Sequence, residues 1–154
     1  YKSADIHPFS YIHSYLNIPD TSGRDSLFQA ESRRCKEIID TINKHEDERH
    51  FCIFDELYSG TNPDEAVQAG KAFIKYISKY TNVNFILTTH YKQICTSFKK
   101  SKHVENYKMN VHVNENGLFD YKYKLIKGIS EIKGGIRILK DMEYPQEILE
   151  NIET

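Results

Sequence analysis

Two apolar runs that end in ionisable residues, with a helical pattern between them, constrain this chain more than any other feature. Phe51-Cys-Ile-Phe54 runs straight into Asp55 and Glu56, and a second run over residues 83–88 leads into Thr88-Thr-His90. A buried parallel strand reads as a continuous apolar stretch. The segment between them, from about Asp64 to Lys79, repeats with helical spacing and directs Ala66, Val67, Gly70, Phe73, Ile74 and Ile77 inward. Strand, helix and strand in that order predict a parallel pair joined by a helical crossover. Ligands of open α/β sheets bind beyond the carboxyl ends of the strands. Asp55, Glu56 and His90 are therefore expected on one rim of one sheet, an arrangement suited to nucleotide hydrolysis.

The two carboxylates are expected to do different work. Successive strand side chains point to opposite faces, so Asp55 and Glu56 cannot share a partner while the strand continues. In P-loop nucleotide hydrolases the aspartate closing such a strand holds Mg²⁺. Asp55 is thus expected to hold Mg²⁺ through water. Glu56, where the strand opens into its loop, would orient or activate the attacking water. His90, one strand over, would sense or stabilise the γ-phosphate, which makes Glu56 and His90 the catalytic candidates. An Asp-Glu pair after four apolar residues could equally start a helix or close a solvated strand. The small polar loop Tyr58–Asn62 and the Thr-Thr-His strand end favour the site.

The rest of the chain fits around this unit. Phe9–Ile18 reads as a strand and Pro19–Gly23 as a loop. Residues 26–44 predict a helix capped by Ser26 or Asp25, with Leu27, Cys35, Ile38, Ile39 and Ile42 as its apolar stripe. His45–His50 reads as a charged turn whose two histidines face solvent. A short helix is expected near 91–99. Alternating segments at 104–113 and 118–126 flank Asn114-Glu-Asn-Gly117, a hairpin signal. Two amphipathic helices, about 130–142 and 145–153, close the chain, with Pro145 at a helix start.

Taken in order, these motifs resemble the MutS family of DNA mismatch-repair ATPases, within the ABC-type ATPase class. The match rests on Asp55-Glu56, on Ser59-Gly-Thr-Asn62 and on Thr88-Thr-His-Tyr91. Upstream, Ser22-Gly-Arg-Asp-Ser-Leu-Phe-Gln-Ala-Glu31 resembles the family's signature segment, in which a serine opens a helix and a glutamate follows an aromatic residue. Its serine aligns best with Ser26, although one extra residue near Asp25 leaves Ser22 as the other candidate. Downstream, Gly134–Leu149 resembles the family's closing segment. The resemblance implies a partial P-loop NTPase domain with a mainly parallel sheet flanked by helices, a late β-hairpin and a C-terminal helix pair. It also implies a division at residues 1–129, the ATPase part, and 130–154, a dimerisation segment.

Under that resemblance ATP and Mg²⁺ would lie between two such domains in a homo- or heterodimer. One subunit would supply Asp55, Glu56 and His90. The other would bring Ser26 at a helix N-terminus, where free N–H groups and the helix dipole suit a phosphate, together with Ser59, Gly60, Thr61 and Asn62. Tyr58 would lie near the nucleotide of the neighbouring subunit. ATP turnover would be coupled to mismatched DNA through regions outside this sequence.

A phosphate loop of the form G-x-x-x-x-G-K-[ST], which cradles phosphates with backbone N–H groups, is not found among the seven glycines. The sequence also begins at Tyr1 rather than methionine. It therefore reads as the part of a longer protein that follows that loop, and as a segment inactive by itself. A net charge of −1 argues against a surface built on Lys/Arg clustering. The Lys99-Lys-Ser-Lys102 group reads as a solvated helix end. Three cysteines, at 35, 52 and 95, are too few and too scattered for a disulfide or zinc framework. With no signal peptide and no apolar stretch near membrane-spanning length, the expected location is intracellular, in cytoplasm, nucleoid or nucleus, with an organellar or viral setting also open, and with no membrane contact. The eleven tyrosines are dispersed along the chain and read as structural rather than as a base-stacking surface. Two other readings stay open: a different ABC-type ATPase, from chromosome maintenance or transport, and a catalytically inert dimerisation module. The former usually carries Leu-Ser-Gly-Gly-Gln where this chain has Ser-Gly-Arg-Asp-Ser.

Overall fold

The computed structural model describes residues 2–16, 18, 26–113, 119–132, 138–140 and 142–152. It divides into two compact units, residues 1–106 and 107–154. The hairpin thus groups with the C-terminal residues, whereas the expected division at residue 130 separated it from them.

The first unit is a three-stranded parallel sheet with helices. Its strands are β1 (Tyr11–Tyr15), β2 (His50–Asp55) and β3 (Val83–Thr88), in the order β1-β2-β3. Helix α1 (Leu27–Lys44) connects the first pair and α2 (Pro63–Ile77) the second, and α3 (Lys92–Ser97) follows β3. The expected strand over 9–18 is shorter at both ends, and β2 begins one residue earlier than the apolar run. Register places Tyr15 beside Phe54, Phe54 beside Leu87, and Asp55 beside Thr88.

The sheet steps twice in the same direction, and crossovers of one hand then put both helices on the same face. Tyr15, Cys52 and Phe54 of the strands join Cys35, Ile38 and Ile42 of α1 and Phe73, Ile74 and Ile77 of α2 in one buried cluster. The Phe54 and Phe73 rings meet edge to face at 5.3 Å between centroids, a favoured geometry for aromatic quadrupoles. All six residues expected to line the inner side of α2 are buried. On α1, Cys35, Ile38 and Ile42 are buried, Leu27 and Ile39 are half-buried, and the fourth fully buried position is Glu31. On the other face of the sheet Ile12 and Ile86 are exposed, with Phe51 and Ile53 half-buried. Asp55 and Thr88 belong to that open face by alternation.

Local chemistry explains the helix starts. Ser26 caps α1 in a reciprocal box: its Oγ accepts from the Gln29 N–H and its own N–H donates to the Gln29 side chain. Asp25, the alternative cap, lies outside the described residues. Asn62 caps α2 through Oδ1, which accepts from the Glu65 N–H at 3.0 Å. Pro63 takes the first helical position, where its missing N–H leaves no bond unmade. The three cysteines are free thiols; burial pushes Cys35 up to about 11 and Cys52 up to about 12.

One expectation about the histidines fails. His50 is completely buried, and His13, in β1, is 7 % exposed. Register puts His13 beside Cys52, one alternation step from His50 on the same face, and their ring nitrogens meet at 3.0 Å. The apolar periodicity of β2 extends back to His50, so the helix-facing side of the sheet takes it in. His45, its presumed twin, is half-buried.

In the second unit, β4 (Tyr107–Val113) and β5 (Phe119–Lys127) form an antiparallel ribbon with a register shift between Met109 and Val111. Tyr123, with φ 50°, sits opposite that irregularity. The expected turn at 114–117 lies outside the described residues. The predicted helix from 130 does not start there: Ser130, Glu131 and Ile132 are not helical, and the Ser130 hydroxyl accepts from the Ile132 N–H instead. Residues 138–140 are helical, and Glu143 closes that turn with φ 55° while the Tyr144 N–H reaches back to the Leu139 carbonyl at 3.1 Å, a helix-ending pattern. Gly134 and Gly135 lie outside the described residues. Helix α4 (Gln146–Ile152) follows Pro145, whose carbonyl accepts from the Ile148 and Leu149 N–H groups.

Candidate functional site

The end of β2 sets the geometry of the rim. Asp55 is the last strand residue, and its Oδ1 accepts a hydrogen bond from the Thr88 hydroxyl of β3. One residue later the chain leaves the extended region: Glu56 has φ 51° and Tyr58 φ 61°. Left-handed conformations in non-glycine residues carry a cost on the order of 1–3 kcal/mol each and persist only where the surroundings enforce them. Here three contacts do so. The Glu56 N–H donates to the Thr88 carbonyl at 3.1 Å, the Leu57 side chain is 1 % exposed, and the Tyr58 N–H donates to the Tyr15 hydroxyl at 3.1 Å.

This turn explains how two adjacent carboxylates reach different partners. Asp55 keeps to the open face with Thr88. Glu56 swings toward β3, where its Oε1 lies 3.1 Å from His90 Nδ1. Both side chains of that pair are about half exposed. The structure thus brings Asp55, Glu56 and His90 to the same carboxyl-end rim, as the sequence pattern required. Asp55 presents a hard oxygen of the kind Mg²⁺ prefers. Among the described residues no group of three His, Cys, Asp or Glu side chains converges as a complete cation cage.

The loop that follows is organised by a residue to which sequence reasoning gave no role beyond marking its motif. Glu31, on α1, is 2 % exposed. Its Oε1 accepts from the Ser59 N–H at 2.9 Å and the Ser59 hydroxyl at 2.8 Å, and its Oε2 accepts from the Gly60 N–H at 3.0 Å. Three donors on two oxygens suit a carboxylate, which only accepts. Gly60 fits because it has no side chain: a Cβ there would stand 2.7 Å from the Phe28 nitrogen and 2.8 Å from Leu27 Cγ. The Thr61 hydroxyl donates to Glu65, and Asn62 caps α2. Ser59, Gly60, Thr61 and Asn62 therefore each make a contact within the chain. Ser26 stands at the head of α1, one residue before the Leu27 side chain that Gly60 touches. Ser22 lies outside the described residues.

Tyr58 does not behave as expected. It is 8 % exposed, and its ring packs against Phe28 at 5.8 Å and Phe73 at 6.4 Å. Its left-handed backbone turns the side chain inward, so it is a core residue rather than a surface for a neighbouring nucleotide. Burial raises the pKa of its phenol and that of Tyr15. The signal for Glu31 was present in the sequence: a charged residue on the line of Cys35, Ile38 and Ile42 at helical spacing must find a buried partner.

A family model described as MutS domain V matches residues 1–154. The chain is 30 % identical to a DNA mismatch repair protein MutS of Aquifex pyrophilus over 81 % of its length, which is 15 % of that relative. It is 27 % identical to the protein of the same description from Streptococcus sanguinis over 99 % of its length, 18 % of that relative. For the one from Bacteroides thetaiotaomicron the values are 26 %, 99 % and 18 %. The chain therefore spans less than one fifth of the length of these relatives.

Proposed function

Because this chain belongs to the MutS family through its domain V, we propose that it is an ATPase segment of a DNA mismatch repair protein. The observation that carries this reading is the rim itself. A strained turn at Glu56 sets that carboxylate 3.1 Å from His90 while Asp55 stays on the open face of the sheet. Separation of two adjacent carboxylates by a backbone turn is what a metal ligand next to a general base requires.

In this reading Asp55, with Thr88 beside it, would hold Mg²⁺, and the ion would supply charge neutralisation at the phosphates. Glu56 accepts the proton of the attacking water, and His90 holds the Glu56 carboxylate in place and faces the γ-phosphate. The phosphate-binding loop and its helix belong to the same P-loop domain and would lie against the open face of the sheet, where Ile12 and Ile86 are exposed. Ser26 and the Ser59–Asn62 loop act on ATP held by a second subunit, in a homo- or heterodimer. The exposed Ile138, Met142, Ile148 and Ile152 support a dimerisation role for residues 130–154. DNA would be engaged by other regions of the parent protein. No helix among the described residues is long and apolar enough to cross a membrane.

The test separates the two carboxylates in the full-length parent. Glu56→Gln should slow ATP hydrolysis by about 10²-fold or more, the range for loss of a positioned base, with ATP binding retained. Asp55→Asn should weaken Mg²⁺-dependent ATP binding instead. Identical binding defects with no separate hydrolysis defect would overturn the assignment. Wild-type protein with neither binding nor hydrolysis would favour an inert dimerisation module.

A further inference from the structure

Buried carboxylates are rare unless every oxygen is engaged, and Glu31 is engaged chiefly by the loop after β2, with the Tyr15 hydroxyl of β1 as a further partner. Its three bonds tie the first turns of α1 to Ser59 and Gly60. The same two segments also touch sterically, because Gly60 leaves no room for a Cβ against Phe28 and Leu27. A third tie is aromatic, between Phe28 of α1 and Tyr58 of the loop. None of these contacts involves Asp55, Glu56 or His90. The carboxylate therefore locks two elements of the chain to each other, the head of α1 bearing Ser26 and the 59–62 loop, at a distance from the rim chemistry.

We propose that Glu31 is a positioning residue that makes Ser26 and the Ser59–Gly60 loop one rigid unit, which a subunit delivers to the ATP bound by its partner. The inference rests on the composite-site reading above. It adds that the two trans elements do not dock independently: the loop's position fixes where the serine stands. Glu31 touches no substrate and acts only through the segments it joins. Replacing it with glutamine turns one acceptor oxygen into an N–H₂ group, which would meet the N–H of Ser59 or Gly60 donor to donor. The loop should then part from α1.

The experiment uses the full-length parent and subunit mixing. Homogeneous Glu31→Gln protein should lose about 10- to 100-fold in kcat, as expected for a misplaced reacting group, while its affinity for ATP stays within about threefold of wild type. When E31Q subunits are mixed with D55N subunits, one composite site of each mixed dimer carries both lesions and the other carries neither. ATPase activity should therefore recover to about half the wild-type value per dimer. A residue that merely supported its own subunit's rim would leave every mixed site damaged and give no recovery, which would overturn the proposal. Gly60→Ala separates the same segments by steric contact without altering Glu31, and should show the same kcat loss and the same recovery with D55N. If E31Q subunits fail to fold, the G60A mixture decides in their place. A parallel S26A and D55N mixture distinguishes the levels of failure. Recovery with S26A but not with E31Q or G60A rejects the role of Glu31 alone, whereas no recovery with S26A rejects the composite site on which it rests.

Discussion

The two ends of β2 each carry a histidine contact, and they differ in almost every physical respect. At the amino end His50 is fully buried, and its Nε2 lies 2.9 Å from the His45 carbonyl. A carbonyl only accepts, so that nitrogen carries the proton, and Nδ1 of the neutral ring is left to accept from His13 Nε2 at 3.0 Å. Tyr11 stacks over the His50 ring at 5.0 Å. At the carboxyl end His90 is half exposed and faces a carboxylate. The first arrangement fixes both tautomers and excludes water, so it serves the fold. The second leaves the Glu56–His90 pair open to whatever binds at the rim. Residue type alone does not distinguish them; the backbone that presents each ring does.

Unequal substitution effects at the two ends are the sharpest way to break that comparison. His50→Ala removes packing and leaves a buried His13 donor without its acceptor, so it should destabilise by about 2–4 kcal/mol. His90→Ala should stay within about 0.5 kcal/mol, as exposed positions do. Urea unfolding followed by circular dichroism measures both, and equal losses would end the distinction.

The pH dependence of stability should follow the buried end. Burial first, then the neighbouring His50 and the Arg34 guanidinium, hold His13 below its ordinary value of 6.5. The unfolded chain therefore binds the proton more readily than the folded one, and stability must fall as pH falls. The contribution is complete above about pH 6.5 and is lost as pH drops through that value toward the lower native pKa. His13→Gln should flatten this part of the melting-temperature profile between pH 7 and 5. An unchanged profile would place the titration elsewhere.

A smaller effect than that at His50 concerns the rim loop. Asn62→Ala removes the cap of α2 and should lower stability by about 1 kcal/mol, more than His90→Ala at the same end. Thermal unfolding of the two variants side by side checks this, and the reverse order would mean that the Glu56–His90 contact holds the rim together.

Much of the sheet was legible in the sequence because burial on a periodic backbone writes itself into the order of apolar residues. The run at 51–55 and the stripe Ala66, Val67, Gly70, Phe73, Ile74 and Ile77 determine β2 and the inner side of α2, and the run Val83–Thr88 sets both ends of β3. The convergence of Asp55, Glu56 and His90 was legible for the same reason, since parallel strands end on a common rim. Periodicity could not supply the left-handed turns at Glu56 and Tyr58, because non-glycine residues carry no sign of a positive φ. Those turns place Glu56 beside His90 and send Tyr58 into the core. Nor could it show that His50 is buried or that Glu31 holds Ser59 and Gly60. Sequence alone determined which residues lie on which face of each element, because that follows from bonds within the element. Only the tertiary structure decided which polar groups meet, because Glu31 and Ser59, or His13 and His50, are far apart along the chain and are joined only when the sheet and α1 pack.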